Sequence, residues 1–80
     1  MLEDLKTNKK AVGIKQTLKA VENGFAKVVF IARDADEKII GSIMEVCQKN
    51  SIDIVYADNM KQLGKSCGIE VGAATACLLK

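Results

Sequence analysis

Eighty residues make a single domain, residues 1–80, since a chain this short buries roughly two-thirds of its unfolded surface, enough for one helix-covered sheet and not for a second core. Apolar residues make up 49% of it, but the aromatics are only Phe25, Phe30 and Tyr56, so the core must be built from Val, Ile, Leu, Ala and Met. There is no histidine and no C-x-x-C pair among Cys47, Cys67 and Cys77, which removes the usual general base near neutral pH and disfavours a zinc site.

The net charge of +2 is too small to point to a partner by itself, and its placement says more. Five of the twelve basic residues fall in positions 1–20, against Glu3 and Asp4, while the rest of the chain is balanced. A solubilising lysine cluster is the plain explanation of that asymmetry.

In chain order, residues 2–7 suit a short helix with Leu2 and Leu5 inward, and Ala11 and Val12 a short strand. From Ile14 to about Asn23 the helical period is clean: Ile14, Thr17, Leu18 and Val21 share one face, with Lys15, Gln16, Lys19 and Glu22 on the other. Asn23-Gly24 is a C-terminal stop. Lys15 and Lys19 stand at i and i+4, where like charges cost ~0.2–0.5 kcal/mol, and in the half of the helix whose dipole prefers anions. Two broken local rules at one place mark a candidate site.

Lys27 to Ala32 is a near-continuous apolar run, as in a central strand buried on both faces. A turn at 33–36 follows, where Asp34 and Glu37 have capping-box spacing, and a helix from about Asp36 to Lys49 places Ile39, Ile40, Ile43, Val46 and Cys47 inward. Ile52 to Ala57 reads as a strand. A helix across Met60 to Ser66 is capped by Asp58 or Asn59, interrupted by Gly64 and closed by Gly68. After a glycine-bearing loop, Thr75 to Leu79 is the last strand. This succession predicts an α/β fold: a three-layer α/β/α sandwich around a small, mostly four-stranded mixed sheet, with two right-handed crossovers. Binding residues then belong at strand ends and helix starts, namely Gly13 to Gln16, Arg33-Asp34 and the 68–72 loop.

Enzyme chemistry finds little support. Cys67, expected to be partly exposed, has no base partner, the aspartates sit where capping explains them, and the glycines match no phosphate-binding loop. No cofactor and no metal is expected. Cys47 and Cys77 read as small hydrophobes, and the cysteine usage suits a reducing, cytoplasmic compartment. No signal peptide or membrane span is apparent.

Nucleic acid is better served. The start of the 14–23 helix offers unpaired backbone donors, a positive helix end, lysines for phosphates, and in Gln16 an amide that both donates and accepts. An A-form major groove is too narrow to admit a helix, so the target must be distorted RNA.

Three blocks sharpen this reading: Gly13-Ile14-Lys15-Gln16-Thr17-Leu18-Lys19-Ala20, then Ile31-Ala32-Arg33-Asp34-Ala35-Asp36, and Met60 through Ala74. In this order and spacing they resemble the ribosomal L7Ae/L30e family over about residues 10–79, most of all its small bacterial kink-turn-binding branch, the YbxF type; a second bacterial type, YlxQ, has the same general look. The resemblance implies an α/β/α domain that binds the kink-turn, a helix–bulge–helix RNA motif with sheared G·A pairs, of ribosomal or regulatory RNA, with the ribosome as a further partner. It implies that Gly13, Lys15, Gln16 and Lys19 enter the groove at the G·A pairs. Lys15 and Gln16 stand where many archaeal and eukaryotic members carry Asn and Glu. It also implies that Ile69, Glu70, Val71, Gly72 and Ala73 pack on the bulged nucleotides, and that Arg33 lies beside them.

Each residue has a plainer alternative. Gly13 can serve a tight turn, Lys15 and Lys19 can be merely solvated, Gln16 can cap its own helix, and Arg33 can pair with Asp34 or Glu37. Ile69 and Val71 can be core, although their alternation around Glu70 turns one or both outward. Glu70 would repel phosphate, so it is expected to bond backbone groups and shape the loop. A different function on the same fold is a ribosome-associated protein-interaction or scaffold domain. A monomer is expected, with Ile52 to Tyr56 the most apolar edge for self-pairing.

Overall fold

The computed structural model describes residues 2–80. Its elements are α1 (Asp4–Thr7), β1 (Lys10–Val12), α2 (Ile14–Glu22), β2 (Ala26–Ala32), α3 (Glu37–Lys49), β3 (Ile54–Ala57), α4 (Met60–Ser66) and β4 (Thr75–Leu79). Strands pair in the order β1-β4-β2-β3. β3 runs parallel to β2, while β4 is antiparallel to both of its neighbours, so β1, β2 and β3 all point the same way.

Alternation along the two inner strands builds two cores from one sheet. Val28, Phe30 and Ala32 of β2, with Ala76 and Leu78 of β4, face one side and pack with Leu5 of α1 and Leu63 and Cys67 at α4. Val29 and Ile31, with Cys77, face the other side and meet Ala20 and Val21 of α2 and Ile43 and Cys47 of α3. This is the three-layer α/β/α sandwich expected, and the apolar run of β2 is continuous because both of its faces are covered. Lys27 is the exception: it is exposed beside a register shift between Ala26 and Val28, where the strand bulges.

Local chemistry fixes the helix ends. Gly24, at φ 77°, closes α2: its N–H reaches the Val21 carbonyl, and the Phe25 N–H reaches that of Ala20 at 2.9 Å. These two bonds form the paired closure that a left-handed residue permits. Asn59 caps α4 by accepting from the Gln62 N–H at 2.7 Å, while the Gln62 side chain accepts from the Asp58 N–H at 2.9 Å.

Four local expectations change. The cap of α3 is Asp36, which accepts from the Lys38 N–H at 2.8 Å, and not Asp34. Gly64 does not interrupt α4; it lies within the helix, buried, because another segment packs on its bare Cα. Cys67 is buried in the core and not partly exposed. The third strand begins at Ile54, two residues later than the apolar run suggested.

Candidate nucleic-acid interface

Because β1, β2 and β3 run together, their C-terminal ends share one edge of the sheet with the start of β4. Backbone bonds bind this edge crosswise. Gly13 donates its N–H to the Thr75 carbonyl, Ala32 to that of Ala74 and Arg33 to that of Ala57, each at 2.9 Å. The three sequence blocks, far apart along the chain, therefore form one continuous rim.

Gly13 stands at the N-cap of α2 with φ 97° and ψ 163°, a conformation that a side chain would strain. Its own N–H is committed to Thr75. The first bond of the helix runs from the Thr17 N–H to the Gly13 carbonyl, at 3.0 Å, so the donors left open are the amides of Ile14, Lys15 and Gln16. No side chain caps this end and no acid lies in its first turn. α3, by contrast, has Asp36 and Glu37 there. The side chains of Lys15, Gln16 and Lys19 are exposed and make no hydrogen bond or ion pair among the described residues. The helix start is thus a concentration of unsatisfied donors and positive charge.

The second wall is the loop between α4 and β4. Gly68, at φ 80°, closes α4, and the Ile69 N–H bonds the Gly64 carbonyl at 3.0 Å. The chain then folds back on the helix. The Val71 carbonyl and Gly72 occupy the space where a Cβ on Gly64 would sit, Gly72 rests against Met60, and the Ala73 N–H bonds the Met60 carbonyl at 3.0 Å. With its backbone held inward, the loop shows Val71 at 70% exposure and Ile69 at 36%. Two bare aliphatic side chains beside a cationic helix end suit the faces of unstacked bases.

Two expectations for this loop need revising. Glu70 is exposed and makes no hydrogen bond among the described residues, so Gly64, Gly72 and the backbone shape the loop instead. The Ala73 side chain is buried at the base of the loop, leaving the residue a structural part there. Arg33 pairs with neither Asp34 nor Glu37. Its guanidinium lies over the Tyr56 ring, 4.9 Å from the centroid, and the Tyr56 hydroxyl donates to the Met44 sulfur at 3.6 Å.

Tyr56 is thus a partner of Arg33 that its sequence position alone does not reveal. Its position at the end of an outer strand was visible, but the arrival of Arg33 beside it depends on the parallel pairing of β2 with β3. Among the described residues no cluster of His, Cys, Asp or Glu is fit to hold a metal. Burial pushes all three thiols above their ordinary range, so none is primed as a nucleophile.

Comparison with known proteins shows the family and the fold. The model of a family described as ribosomal protein L7Ae/L30e/S12e/Gadd45 matches residues 2–80. An RNA-binding protein of Caldanaerobacter subterraneus is 56% identical over 68 residues, covering 85% of this chain and 83% of the relative. The RNA-binding protein YbxF of Geobacillus stearothermophilus is 38% identical over 76 residues, covering 95% and 93%. Among solved structures, a Giardia lamblia 15.5 kD RNA-binding protein superposes with a TM-score of 0.91 at 27% identity, covering 99% of this chain and 70% of that one.

Proposed function

The chain belongs to the family described as ribosomal protein L7Ae/L30e/S12e/Gadd45, and on that footing we propose that it is a non-enzymatic RNA-binding protein that holds kink-turn RNA in its bent form. The observation that carries the reading is the uncapped, cationic start of α2 beside the exposed apolar side chains of Ile69 and Val71. Lys15 and Lys19 neutralise phosphates, Gln16 reads base edges at the G·A pairs, and Ile69 and Val71 cover bases of the bulge. Arg33, held over the Tyr56 ring, supports the same rim. The relatives that match are named RNA-binding proteins.

The mechanism is a shift of population. Free RNA samples straight and bent forms, and a surface that fits only the bent one draws the equilibrium toward it. Divalent cations screen the same bend, so the effect of the protein is greatest when they are scarce. The RNA is ribosomal or regulatory, the protein acts as a monomer with one kink-turn each, and the compartment is the cytoplasm. No helix among the described residues is long and apolar enough to cross a membrane.

The test compares a kink-turn duplex with a fully paired one at ~0.15 M salt, where nonspecific phosphate binding alone would treat them equally. Selective binding, with amide shifts at Gly13–Lys19 and residues 69–73, is the expected result. Equal affinities would refute the proposal and favour a protein-interaction domain.

A further inference from the structure

We infer that the flank of α2 carries a second nucleotide site, a cleft that takes an unpaired nucleotide of the bound RNA with its base on Phe25 and its phosphate among Lys9, Lys19 and Lys80. The cleft encloses about 350 Å³ between α2 and the β1 edge. Its α2 wall is a single stripe, Gln16, Lys19, Ala20 and Asn23, recurring at helical spacing. Ala11 and Leu79 add apolar surface, and no lining residue is acidic.

Phe25 is 62% exposed, yet its backbone is pinned on both sides. Its N–H bonds the Ala20 carbonyl, and its carbonyl accepts the Lys80 N–H at 2.8 Å. The closure of α2 accounts for an apolar residue at this position, since such closures commonly carry an aliphatic contact back to the helix. It does not account for a large ring left mostly in solvent with three lysines around it. An apolar floor, an open aromatic face and a cationic rim together select a flat-faced anion, which is what an unstacked nucleotide is.

The inference rests on the RNA-binding reading, because Gln16 and Lys19 belong to both surfaces. Gln16 and Phe25 line the same cleft, and the closure of α2 returns Phe25 to the level of Ala20, so a strand leaving the groove at Gln16 passes directly onto the ring. The target RNA would then carry single-stranded nucleotides flanking the kink.

The test titrates the full chain with kink-turn duplexes bearing a short adenosine tail on each strand end in turn, one adenine replaced by 2-aminopurine. Blunt duplexes and equally tailed, fully paired duplexes run alongside. One tail should tighten binding by about tenfold, within the range of base–aromatic stacking, and lose its fluorescence on binding. Phe25→Leu keeps the aliphatic contact that closes α2 and should abolish both effects while leaving the affinity for the blunt kink-turn unchanged. Tails without effect on a kink-turn that is bound, or a gain that survives in Phe25→Leu, would overturn the site. So would a doubled sedimentation mass abolished by Phe25→Leu, which would assign the cleft to a second copy. The blunt and paired controls read failure of kink-turn selection separately from failure of the tail.

Discussion

Asp34 accepts a hydrogen bond from the Met60 N–H at 2.7 Å, so the turn after β2 caps a helix that starts 26 residues later. The Met60 carbonyl in turn receives the Ala73 N–H, which makes one continuous chain of bonds from the Arg33 turn to the loop that displays Ile69 and Val71. Asp34→Ala should cost about 1 kcal/mol of stability, the usual loss of a helix cap, and Asp34→Asn should recover most of it. Urea unfolding measures the loss. Hydrogen exchange at residues 69–71 should rise in the alanine variant, and unchanged exchange would show that the cap acts on α4 alone.

Gly64→Ala tests the seating of the loop. The new methyl would collide with the Val71 carbonyl, which belongs to backbone and has little room to give. Either the loop moves away or the helix distorts, at about 1–3 kcal/mol as for other overpacked sites. The melting temperature should fall, and RNA affinity should fall with it. A variant as stable as the parent would mean that the loop has a second position of equal energy.

Lys19 and Gln16 should fail differently. Lys19→Ala should weaken kinked and paired RNA alike and reduce the salt slope by about one unit if one phosphate is neutralised. Gln16→Ala should remove preference for targets with G·A pairs, by about 1–3 kcal/mol for a bidentate contact. Binding isotherms at several salt concentrations separate the two, and an unchanged specificity ratio for the Gln16 variant would move base reading elsewhere.

Thr17 is fully buried on α2, and its hydroxyl has no partner at hydrogen-bonding geometry among the described residues. It nonetheless lies near enough to the Cys77 thiol to oppose, together with the Ala11 backbone, the larger effect of burial that raises that thiol's pKa. A weak approach to sulfur does not replace a hydroxyl's lost water, so the buried hydroxyl costs stability. Thr17→Val, similar in shape and also β-branched, should therefore stabilise the fold by about 1 kcal/mol. A lower denaturation midpoint would show that the contact with sulfur is a true bond.

The buried thiols also set a pH dependence. Burial raises all three above their ordinary value of 9.0, so the folded chain holds protons that the unfolded chain releases as pH climbs past that value. Stability is then retained below 9.0 and declines above it, since the unfolded state binds fewer protons there. Denaturant midpoints near pH 8 and pH 10 should differ in that direction, and alkylation of the native protein near pH 7 should be slow for all three cysteines.

What could be read from the sequence was whatever repeats locally. The period of Ile14, Thr17, Leu18 and Val21 gave α2, the unbroken run to Ala32 gave a doubly covered strand, and the Asn59–Gln62 spacing gave a cap that forms as expected. The rim at Gly13, Arg33 and the 68–72 loop was legible too, once parallel strands put helix starts at one end. What escaped depends on residues far apart meeting. Asp34 stands at capping spacing from the Glu37 N–H, yet its carboxylate accepts from the Met60 N–H. Gly64 resembles a helix breaker until the Val71 carbonyl is seen against it. Arg33 has acids on hand and stacks on Tyr56 instead. In each case spacing along the chain offers a near choice, and tertiary packing takes the distant one.

β4 enters the sheet between β1 and β2, although it is the last strand to appear along the chain. Lys10 pairs with Leu78 and Val12 with Ala76, so β1 has no partner strand, and β2 only β3, until nearly all of the chain is available. Pairings of such separation form slowly, because a long loop must close before any contact compensates for its lost freedom. The Gly13–Thr75 bond that joins the start of α2 to the loop depends on the same event. A nascent chain without β4 thus displays its lysines but not the shape around them, and on the function proposed here any competence to discriminate one RNA from another would arrive together with the fold.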